Sequence, residues 1–369
     1  MNIGFILPHN ERGLSGISRY SLGIMNAINS PEIHKYCYGE NYLHADNVHE
    51  MRSFINESRN AELAFKEQIM LTCLENIDII HSFYKAIPIE SCPQIKKVLT
   101  IHDLSPLVNL DWFGGNQSTY EFFDKSIRRS AVMADKVVAV SQATKNTIID
   151  LYQLSEDKIE IVNPAIASGL IYCQPTDSDI QRIKEKYSIK NEYILSICTL
   201  EPRKNLVSLI KAYEIYREHH KDSNINLVLT GKLGWQFNPI LEQINKSRFK
   251  EDIIITDYVS DSDLAVLYKG ALVFAYVSYY EGFGMPILEA LSYGNAVLTS
   301  STTSMPEVGG DAACYCDPYD LESIISSLEH LVEDEAYRNE LKSKAKNQAK
   351  KFSYQKSGEK LLEIFKSIE

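Results

Sequence analysis

Short apolar runs alternate with stretches of helical periodicity along most of the chain. Two runs, 193–198 and 272–277, have the length and the apolar character of strands buried on both faces. The same pattern predicts further strands at 77–83, 136–141, 159–163, 226–230, 253–256 and 296–299. Most of these runs are followed by apolar residues at helical spacing, as in a helix predicted from 206 to about 219. Strands that alternate with helices form parallel sheets, so the pattern predicts the α/β class.

The length of the chain predicts two domains. Its 369 residues exceed the usual size of one domain and suit two of about 150 to 200 residues each. Turn-forming residues are concentrated between the halves, at Asn163-Pro164, Gly169 and Pro175, which places the predicted boundary within residues 164–190.

Residues 281–289 carry the strongest chemical signal and read EGFGMPILE. They follow the predicted strand 272–277, and their glycines, proline and helix-forming residues predict a tight turn and a helix N-terminus. Such a junction presents N–H groups and a partial positive charge to an anion, while Glu281 and Glu289 can accept hydrogen bonds from hydroxyl groups. A ligand with both phosphate and sugar hydroxyls fits this combination. Taken alone, the stretch is equally well explained as a tight turn with a glutamate near the helix start.

A second candidate anion site lies at residues 200–205, which read LEPRKN. They follow the predicted strand 193–198, and open α/β sheets bind ligands at the carboxyl ends of their strands. Arg203 offers a planar fork of donors and Lys204 a point charge, a combination that suits a diphosphate. Because cations at a helix start oppose the helix dipole, an anionic ligand would relieve a local penalty. The alternative is a solvated basic pair.

These two segments resemble the family-4 retaining glycosyltransferases. The similarity covers roughly residues 193 to 318 and includes SMPEV at 304–308 and DAA at 311–313. The Glu-x7-Glu pattern formed by Glu281 and Glu289 is specific to that family. The resemblance implies two facing Rossmann-like domains, the GT-B architecture, with a cleft between them. It implies an acceptor domain at 1–170, joined by a final helix at about 352–369 that crosses back onto it, and a nucleotide-sugar donor domain at 171–351.

The resemblance also assigns roles to individual residues. Glu281 and the amides of Phe283 and Gly284 would contact the donor sugar. Glu289 would accept hydrogen bonds from the nucleotide ribose, while Arg203 and Lys204 would hold the diphosphate. The predicted catalytic set is His102, Asp103, Arg203, Lys204 and Glu281. The remaining predicted donor-binding residues are Gly16, Gly231, Tyr258, Val259, Gly282, Met285 and Pro286.

The amino-terminal half carries weaker signals that agree with this assignment. A strand-like run at 2–7 leads into GLSG at 13–16 and a helix predicted from 18 through 28. The family usually has two adjacent glycines in this loop, but Ser15 replaces the first, so only Gly16 carries over. The strand-like run 98–101 ends in His102-Asp103, which resembles the acceptor side of the family's cleft. From chemistry alone, a His-Asp pair that caps a loop is the stronger explanation.

Composition and charge exclude several classes of function. The net charge of −11 and the pI near 5.4 argue against nucleic acid as the main partner. The sequence has no apolar run of about 18 residues, the length needed to cross a bilayer, and its first residues lack a signal-peptide pattern. A cytoplasmic location is therefore predicted. Two DSD triplets, at 177–179 and 261–263, match the metal-binding motif of another glycosyltransferase architecture, but helix N-capping is the favoured explanation. We therefore predict no metal and no cofactor beyond the nucleotide-sugar substrate.

Together these features predict a metal-independent retaining glycosyltransferase of surface-polysaccharide synthesis. It would move a hexose from a nucleotide sugar, with GDP-mannose favoured, to a glycan or lipid-linked acceptor. UDP- and dTDP-sugars stay open, because the base contacts around Tyr258 and Val259 are expected to use backbone atoms. The alternatives are a nucleotide-sugar epimerase of the same fold and a catalytically silent nucleotide-binding partner subunit. A Rossmann dehydrogenase is disfavoured because the chain lacks the G-x-G-x-x-G turn.

Contact with the cytoplasmic face of the inner membrane is a further possibility raised by the sequence. A predicted helix carries Phe122-Phe123 together with Arg128 and Arg129, which is the composition of an amphipathic membrane-touching helix. A solvated helix with a basic patch is the favoured alternative.

Overall fold

The computed structural model describes residues 1–6, 16–28, 30, 33–38, 48–50, 77–83, 94–166 and 174–369. The chain divides into two compact units. The first consists of Met1–Leu107, Gln117–Ala165 and Ser353–Glu369, and the second of Val108–Asn116 and Ile166–Phe352. The segment Val108–Asn116 thus belongs to the second unit, whereas the predicted boundaries place it in the first. The predicted phosphate loop at residues 13–15 lies outside the described residues.

The first unit is built on a parallel sheet with helices between its strands. Its strands are β1 (Asn2–Ile6), β2 (His34–Tyr38), β3 (Val48–Glu50), β4 (Ile79–Ser82), β5 (Lys96–Ile101), β6 (Lys136–Ala139) and β7 (Ile159–Ile161). Across the sheet they run in the order β3-β2-β1-β4-β5-β6-β7. The helices are α1 (Gly16–Ala27), α2 (Ser105–Val108), α3 (Gln117–Met133) and α4 (Gln142–Tyr152), with a 3-10 turn at Glu156–Lys158. The final helix of the chain, numbered α13 below, also packs in this unit.

The second unit repeats this architecture. Its strands are β8 (Tyr193–Ile197), β9 (Asn226–Thr230), β10 (Ile253–Ile255), β11 (Val273–Tyr276), β12 (Ala296–Ser300) and β13 (Ala313–Cys316), in the order β10-β9-β8-β11-β12-β13. The helices are α5 (Asp177–Lys186), α6 (Leu206–His219), α7 (Asn238–Lys246), α8 (Asp261–Gly270), α9 (Met285–Tyr293), α10 (Met305–Gly309), α11 (Leu321–Glu333) and α12 (Glu335–Ala349), and the chain returns to the first unit with α13 (Tyr354–Ile368). Three 3-10 turns lie at Leu110–Phe113, Pro202–Lys204 and Lys250–Asp252.

The predicted α/β class is confirmed, and every strand pair of the two sheets is parallel. The strand β11 is buried along its whole length, as expected for a strand covered by helices on both faces. The helix α6 begins and ends where the periodicity predicted. Within the part of the chain that the structure describes, no helix combines the length and the apolar character needed to cross a bilayer.

The prediction that the two DSD triplets supply helix N-caps is wrong by one position. The N-caps are Thr176 and Ser260, whose hydroxyl oxygens accept hydrogen bonds from the first-turn amides of α5 and α8. In α5 the carboxylate of Asp179 accepts a hydrogen bond from the amide of Thr176, which completes a capping box. In α8 the carboxylate of Asp263 is buried and pairs with Lys186. The aspartates therefore stabilise helix ends and the contact of α5 with α8.

Helices α1 and α13 lie in close contact because each presents a glycine to the other. A Cβ atom on Gly23 would lie 2.2 Å from the ring of Tyr354, and one on Gly358 would lie 2.9 Å from the backbone carbonyl carbon of Ala27. The hydroxyl of Tyr354 donates a hydrogen bond to the carbonyl oxygen of Arg19 at 3.2 Å. Along α13, Leu361 and Phe365 are fully buried. The C-terminal helix is thus an integral part of the first unit.

We expect Gly358→Ala to destabilise the first unit. Alanine is favoured over glycine in a helix by about 1 kcal/mol, but here its methyl group meets backbone atoms that cannot move aside, and overpacking costs about 1–3 kcal/mol. Scanning calorimetry should show a lower Tm for the variant. Lys356→Ala, on the exposed side of the same helix, serves as the control and should leave the Tm unchanged. An unaltered or raised Tm for Gly358→Ala would contradict the close helix contact.

Candidate active site

The candidate site lies where two neighbouring strands of the second sheet end. Strands β8 and β11 pair with each other, so their carboxyl ends lie side by side. The 3-10 turn Pro202–Lys204 follows β8, and residues 277–284 follow β11. The two segments are joined directly, because the amide of Tyr279 donates a hydrogen bond to the carbonyl oxygen of Arg203 at 3.0 Å. Parallel strand order therefore brings together two motifs that are far apart in the sequence.

A buried cluster of charged side chains occupies this junction. Glu281 receives Arg203 on one carboxylate oxygen, with Nη1 to Oε2 at 2.9 Å, and Lys204 on the other, with Nζ to Oε1 at 2.6 Å. Arg203 also donates from Nη2 to Glu201 Oε1 at 2.9 Å. None of the four side chains is more than 11% exposed, which makes this a buried ionic network.

The electrostatics of the cluster keep Glu281 ionised. Burial alone would raise the pKa of Glu281, but the positive charges of Arg203 and Lys204 outweigh it and lower the pKa to about 2. Burial raises the pKa of Glu201 above its usual range, although Arg203 and Lys204 oppose this change. Two cations thus face two carboxylates in a low-dielectric environment.

The ion pairs with Glu281 and Glu201 compensate the charges of Arg203 and Lys204 at the start of α6. The sequence suggested that an anionic ligand would relieve an electrostatic penalty on Arg203 and Lys204 at the start of α6. In the structure Glu281 and Glu201 already supply the compensating charge. The two cations are therefore held in defined positions before any ligand binds, because their partners come from the protein itself.

Tyr276, at the end of β11, is part of the cluster and was missed from the sequence. Its hydroxyl donates to Glu281 Oε1 at 2.9 Å and accepts from Lys204 Nζ at 2.9 Å. Burial and the charge of Glu281 raise the pKa of Tyr276 well above its ordinary value, so the hydroxyl stays protonated. The only sequence signal was a hydroxyl-bearing residue at the end of an apolar strand, directly before the turn.

The turn 281–284 has the backbone conformation that its glycines predicted. Gly284 has φ 106°, in the left-handed region, and caps α9. The hydroxyl of Ser304 donates to the carbonyl oxygens of Glu281 and Phe283 at 3.0 and 2.8 Å, and these two hydrogen bonds hold the turn in its conformation. The ring of Phe283 is buried against Phe352. The helix begins at Met285, so its positive dipole end lies at the turn, and Pro286 occupies the second helical position.

Glu289 lies one helical turn further along α9 and is 7% exposed. Its Oε2 accepts a hydrogen bond from the hydroxyl of Tyr268, on α8, at 2.8 Å. Burial and the charge of Glu289 raise the pKa of Tyr268, so it acts as a permanent donor. Each glutamate of the Glu-x7-Glu pattern is therefore held by one buried tyrosine, an arrangement that the sequence did not predict.

The loops after β9 and β10 carry the other predicted donor-binding residues. Gly231 has φ 140°, and a Cβ atom there would lie 1.9 Å from the carbonyl oxygen of Cys198, so only glycine fits. Val259 is buried, whereas Tyr258 is 64% exposed. The ammonium group of Lys232 lies 4.9 Å from the centre of the Tyr258 ring. An exposed ring with a cation beside it therefore lies at the position for which backbone contacts to the base are predicted.

The predicted acceptor-side residues lie in the first unit, at the end of β5. His102 Nε2 donates to the carbonyl oxygen of Phe83 at 3.1 Å, and burial lowers the pKa of His102 to about 4. Asp103 Oδ1 accepts hydrogen bonds from the amide and hydroxyl of Ser105 at 3.1 and 2.7 Å. This is the capping contact that chemistry alone favoured. Gly16 is exposed at the first position of α1.

Two family models match the chain, one in each half. The model described as Glycosyltransferase Family 4 matches residues 29–168, and the model described as Glycosyl transferases group 1 matches residues 177–348. Solved structures match over nearly the whole chain. WaaG, a glycosyltransferase involved in lipopolysaccharide biosynthesis, is 17% identical with a TM-score of 0.74, over 98% of this chain and 99% of that protein. HepE from Anabaena in complex with UDP-glucose is 16% identical with a TM-score of 0.77, over 100% of both chains. At these identities the likeness shows the fold.

Curated relatives are more similar in sequence. The serotype-specific mannosyltransferase WbdA of Escherichia coli is 33% identical over 77% of this chain and 35% of its own length. The chain thus spans about a third of WbdA. The O-antigen chain mannosyltransferase B of Escherichia coli is 32% identical over 74% of this chain and 71% of its own length. The O-antigen chain mannosyltransferase RfbU of Salmonella typhimurium is 26% identical over 64% of this chain and 60% of its own length.

These comparisons confirm the resemblance that the motifs at 200–205 and 281–289 predicted. The chain belongs to the group 1, family-4 glycosyltransferases.

Proposed function

We propose that this chain transfers a hexose from a nucleotide sugar, with GDP-mannose as the first candidate, to a glycan or lipid-linked acceptor in surface-polysaccharide synthesis. The anomeric configuration would be retained, and no metal ion would be required. The observation that carries the proposal is the buried pair of Arg203 and Lys204, held by Glu281 beside the N-terminus of α9. The mannosyl donor and the polysaccharide acceptor are suggested by the names of the relatives, of which one is a serotype-specific mannosyltransferase and two are O-antigen chain mannosyltransferases.

Arg203 and Lys204 would stabilise the departing nucleoside diphosphate. Negative charge builds on the diphosphate oxygen as the glycosidic bond breaks, and fixed cations with helix amides are well suited to meet it. This is the electrostatic role that a metal ion has in other transferases. Glu281 would keep the two cations in position and would contact the donor sugar. Glu289, held by Tyr268, would accept hydrogen bonds from the ribose.

His102 would act as a neutral imidazole on the acceptor side. Because its Nε2 donates to a carbonyl oxygen, its Nδ1 is the nitrogen that accepts hydrogen bonds. With a pKa of about 4, this form persists at neutral pH. Nδ1 can thus orient a hydroxyl group of the acceptor or the sugar. As the family resemblance suggests, the leaving phosphate oxygen would take the acceptor proton.

A lipid-linked acceptor would require contact with the cytoplasmic face of the membrane, and α3 is the element that the sequence raised as a candidate for this contact. Arg128 of α3 pairs with Asp124 at 3.1 Å and donates to the carbonyl oxygen of Leu151. This pairing occupies part of the basic patch, which favours the alternative of a solvated helix.

The first experiment is a thermal-shift panel of GDP-, UDP- and dTDP-sugars, followed by transfer assays with the stabilising donor. We expect GDP-mannose to raise the Tm most, and NMR of the product to show retained anomeric configuration with activity unaffected by EDTA. Formation of a C2 epimer without acceptor would identify an epimerase. Donor binding without transfer or hydrolysis would favour the silent partner subunit.

We expect Arg203→Ala and Lys204→Ala each to lower kcat by about 100-fold or more, because a fixed donor to a developing negative charge contributes about 3 kcal/mol. Arg203→Lys keeps the charge but loses the fork and should recover part of the rate. The control is Lys211→Ala, on the exposed surface of α6. Circular dichroism should show that all variants fold. Near-normal turnover in either alanine variant would contradict the assigned roles.

We expect Tyr268→Phe to raise KM for the donor about five- to tenfold with little change in kcat. The variant removes one hydrogen bond to Glu289, worth about 1 kcal/mol, and Glu289 is assigned to ribose binding. Tyr187→Phe, which removes a comparable hydroxyl-to-carboxylate contact with Asp263, is the matched control. A fall in kcat at constant KM would argue that Glu289 serves the chemical step instead.

We expect Glu281→Gln to lose about 3 kcal/mol of stability at pH 7, because it leaves two buried cations without a full counter-charge. The folded pKa of Glu281, about 2, is below its ordinary value of 4.5, so its contribution is complete above pH 4.5 and declines as the pH falls toward 2. Urea unfolding between pH 7 and pH 3 should show the deficit shrinking below pH 4.5. The exposed Glu359→Gln is the control. A deficit that does not change with pH would contradict the assigned charge state.

A further inference from the structure

Five aromatic side chains form a row on the second unit, which we name the aromatic shelf. It consists of Trp112, Phe113, Trp235, Tyr279 and Tyr319. Tyr319 stacks on Tyr279 at 5.0 Å, Tyr279 stacks on Trp112 at 5.9 Å, and Phe113 stacks on Trp235 at 5.2 Å. The indole nitrogen of Trp235 donates to the carbonyl oxygen of Trp112 at 2.6 Å, which joins the two parts of the row.

Two rings of the shelf are exposed to solvent. Tyr319 is 68% exposed and Trp235 is 43% exposed, whereas Trp112 between them is only 8% exposed. The inner rings therefore support the outer ones. Exposed aromatic rings held in a fixed position bind ligands at a low entropic cost.

The shelf adjoins the candidate active site. Tyr279 lies two residues before Glu281, and its amide is hydrogen-bonded to the carbonyl oxygen of Arg203. Tyr319 follows β13, and Asn205, next to Lys204, donates to the carbonyl oxygen of Pro318 at 2.9 Å. A ligand on the shelf would thus extend from the place where the sugar is transferred.

The two segments that carry Trp112, Phe113 and Tyr319 are acidic. Residues 108–116 and 317–322 read VNLDWFGGN and DPYDLE, which together contain four carboxylates and no lysine or arginine, while the segment of Trp235 carries one cation, Lys232, beside Tyr258. Anionic partners, such as acidic lipids or charged polysaccharides, are repelled by such a surface. Carboxylates accept hydrogen bonds from hydroxyl groups, and aromatic rings pack against the apolar faces of sugar rings.

We propose that the aromatic shelf binds an uncharged glycan, namely the already polymerised part of the acceptor, as a second carbohydrate site beside the donor site. The proposal rests on the proposed function for the reaction that it serves. The shelf would raise the affinity for long acceptors and leave the chemistry at Arg203 and Lys204 unchanged.

Binding can be measured without activity, because the chain contains two tryptophans and both belong to the shelf. Titration of the 369-residue chain with a linear mannopentaose should change its tryptophan fluorescence in a saturable manner, whereas mannose and a hyaluronan oligosaccharide should not. Tyr319→Ala should weaken this binding about tenfold or more. Tyr319→Trp keeps a stacking ring and should bind within a few-fold of the original, and Met133→Ala, an exposed apolar residue of the first unit, is the control.

The kinetic arm compares a long and a short acceptor that end in the same sugar. Tyr319→Ala should raise KM for the long acceptor about tenfold, with KM for the short acceptor and kcat for both unchanged. Equal effects on the two acceptors, or no saturable fluorescence change, would overturn the proposal. If the wild-type protein binds the glycan but transfers no sugar, the proposed function fails while the shelf stands.

Discussion

The candidate site depends on one carboxylate. Glu281 receives Arg203 on one oxygen and Lys204 on the other, and it comes from a different strand end than they do. Adjacent cations repel each other, and a buried ion loses its hydration, so the pair requires a partner in that position. The partner exists because β8 and β11 are neighbours in the sheet. The strand order of the second unit thus determines whether the charged residues can meet.

Hydroxyl groups hold the two glutamates and the glycine turn in place. Tyr276 and Tyr268 each donate to one glutamate, and Ser304 donates to two carbonyl oxygens of the glycine turn. Such contacts fix acceptor atoms without adding net charge. The proposed binding of phosphate and sugar would gain from this arrangement, because the direction of each carboxylate is set before a ligand arrives.

The sequence predicted the elements well and the contacts between them less completely. The spacing of apolar residues was enough to predict the parallel strands and α6, since these elements depend on the local pattern. The motifs at 200–205 and 281–289 made Arg203, Lys204, Glu281 and Glu289 candidates, because each motif follows an apolar strand. Pairing of Glu281 with the two cations could not be predicted from the residues alone, since it requires the strand order.

Two further features were missed. Tyr268 lies in a helix whose apolar residues face the core, and a tyrosine at such a position is ordinarily a core residue. The placement of Val108–Asn116 with the second unit was also missed, because its stacking partner Tyr279 lies far away in the chain.

The discontinuity of the first unit has a consequence for biosynthesis. Residues Ser353–Glu369 complete this unit, with Gly358 set against Ala27 and Phe365 fully buried, yet they leave the ribosome only after residues 166–352 have been translated. Domains commonly fold as units during synthesis, starting from the amino terminus. Until α13 has been synthesised, the surface of α1 that it covers has no partner. The first unit can therefore be completed only after the whole of the second unit has been translated.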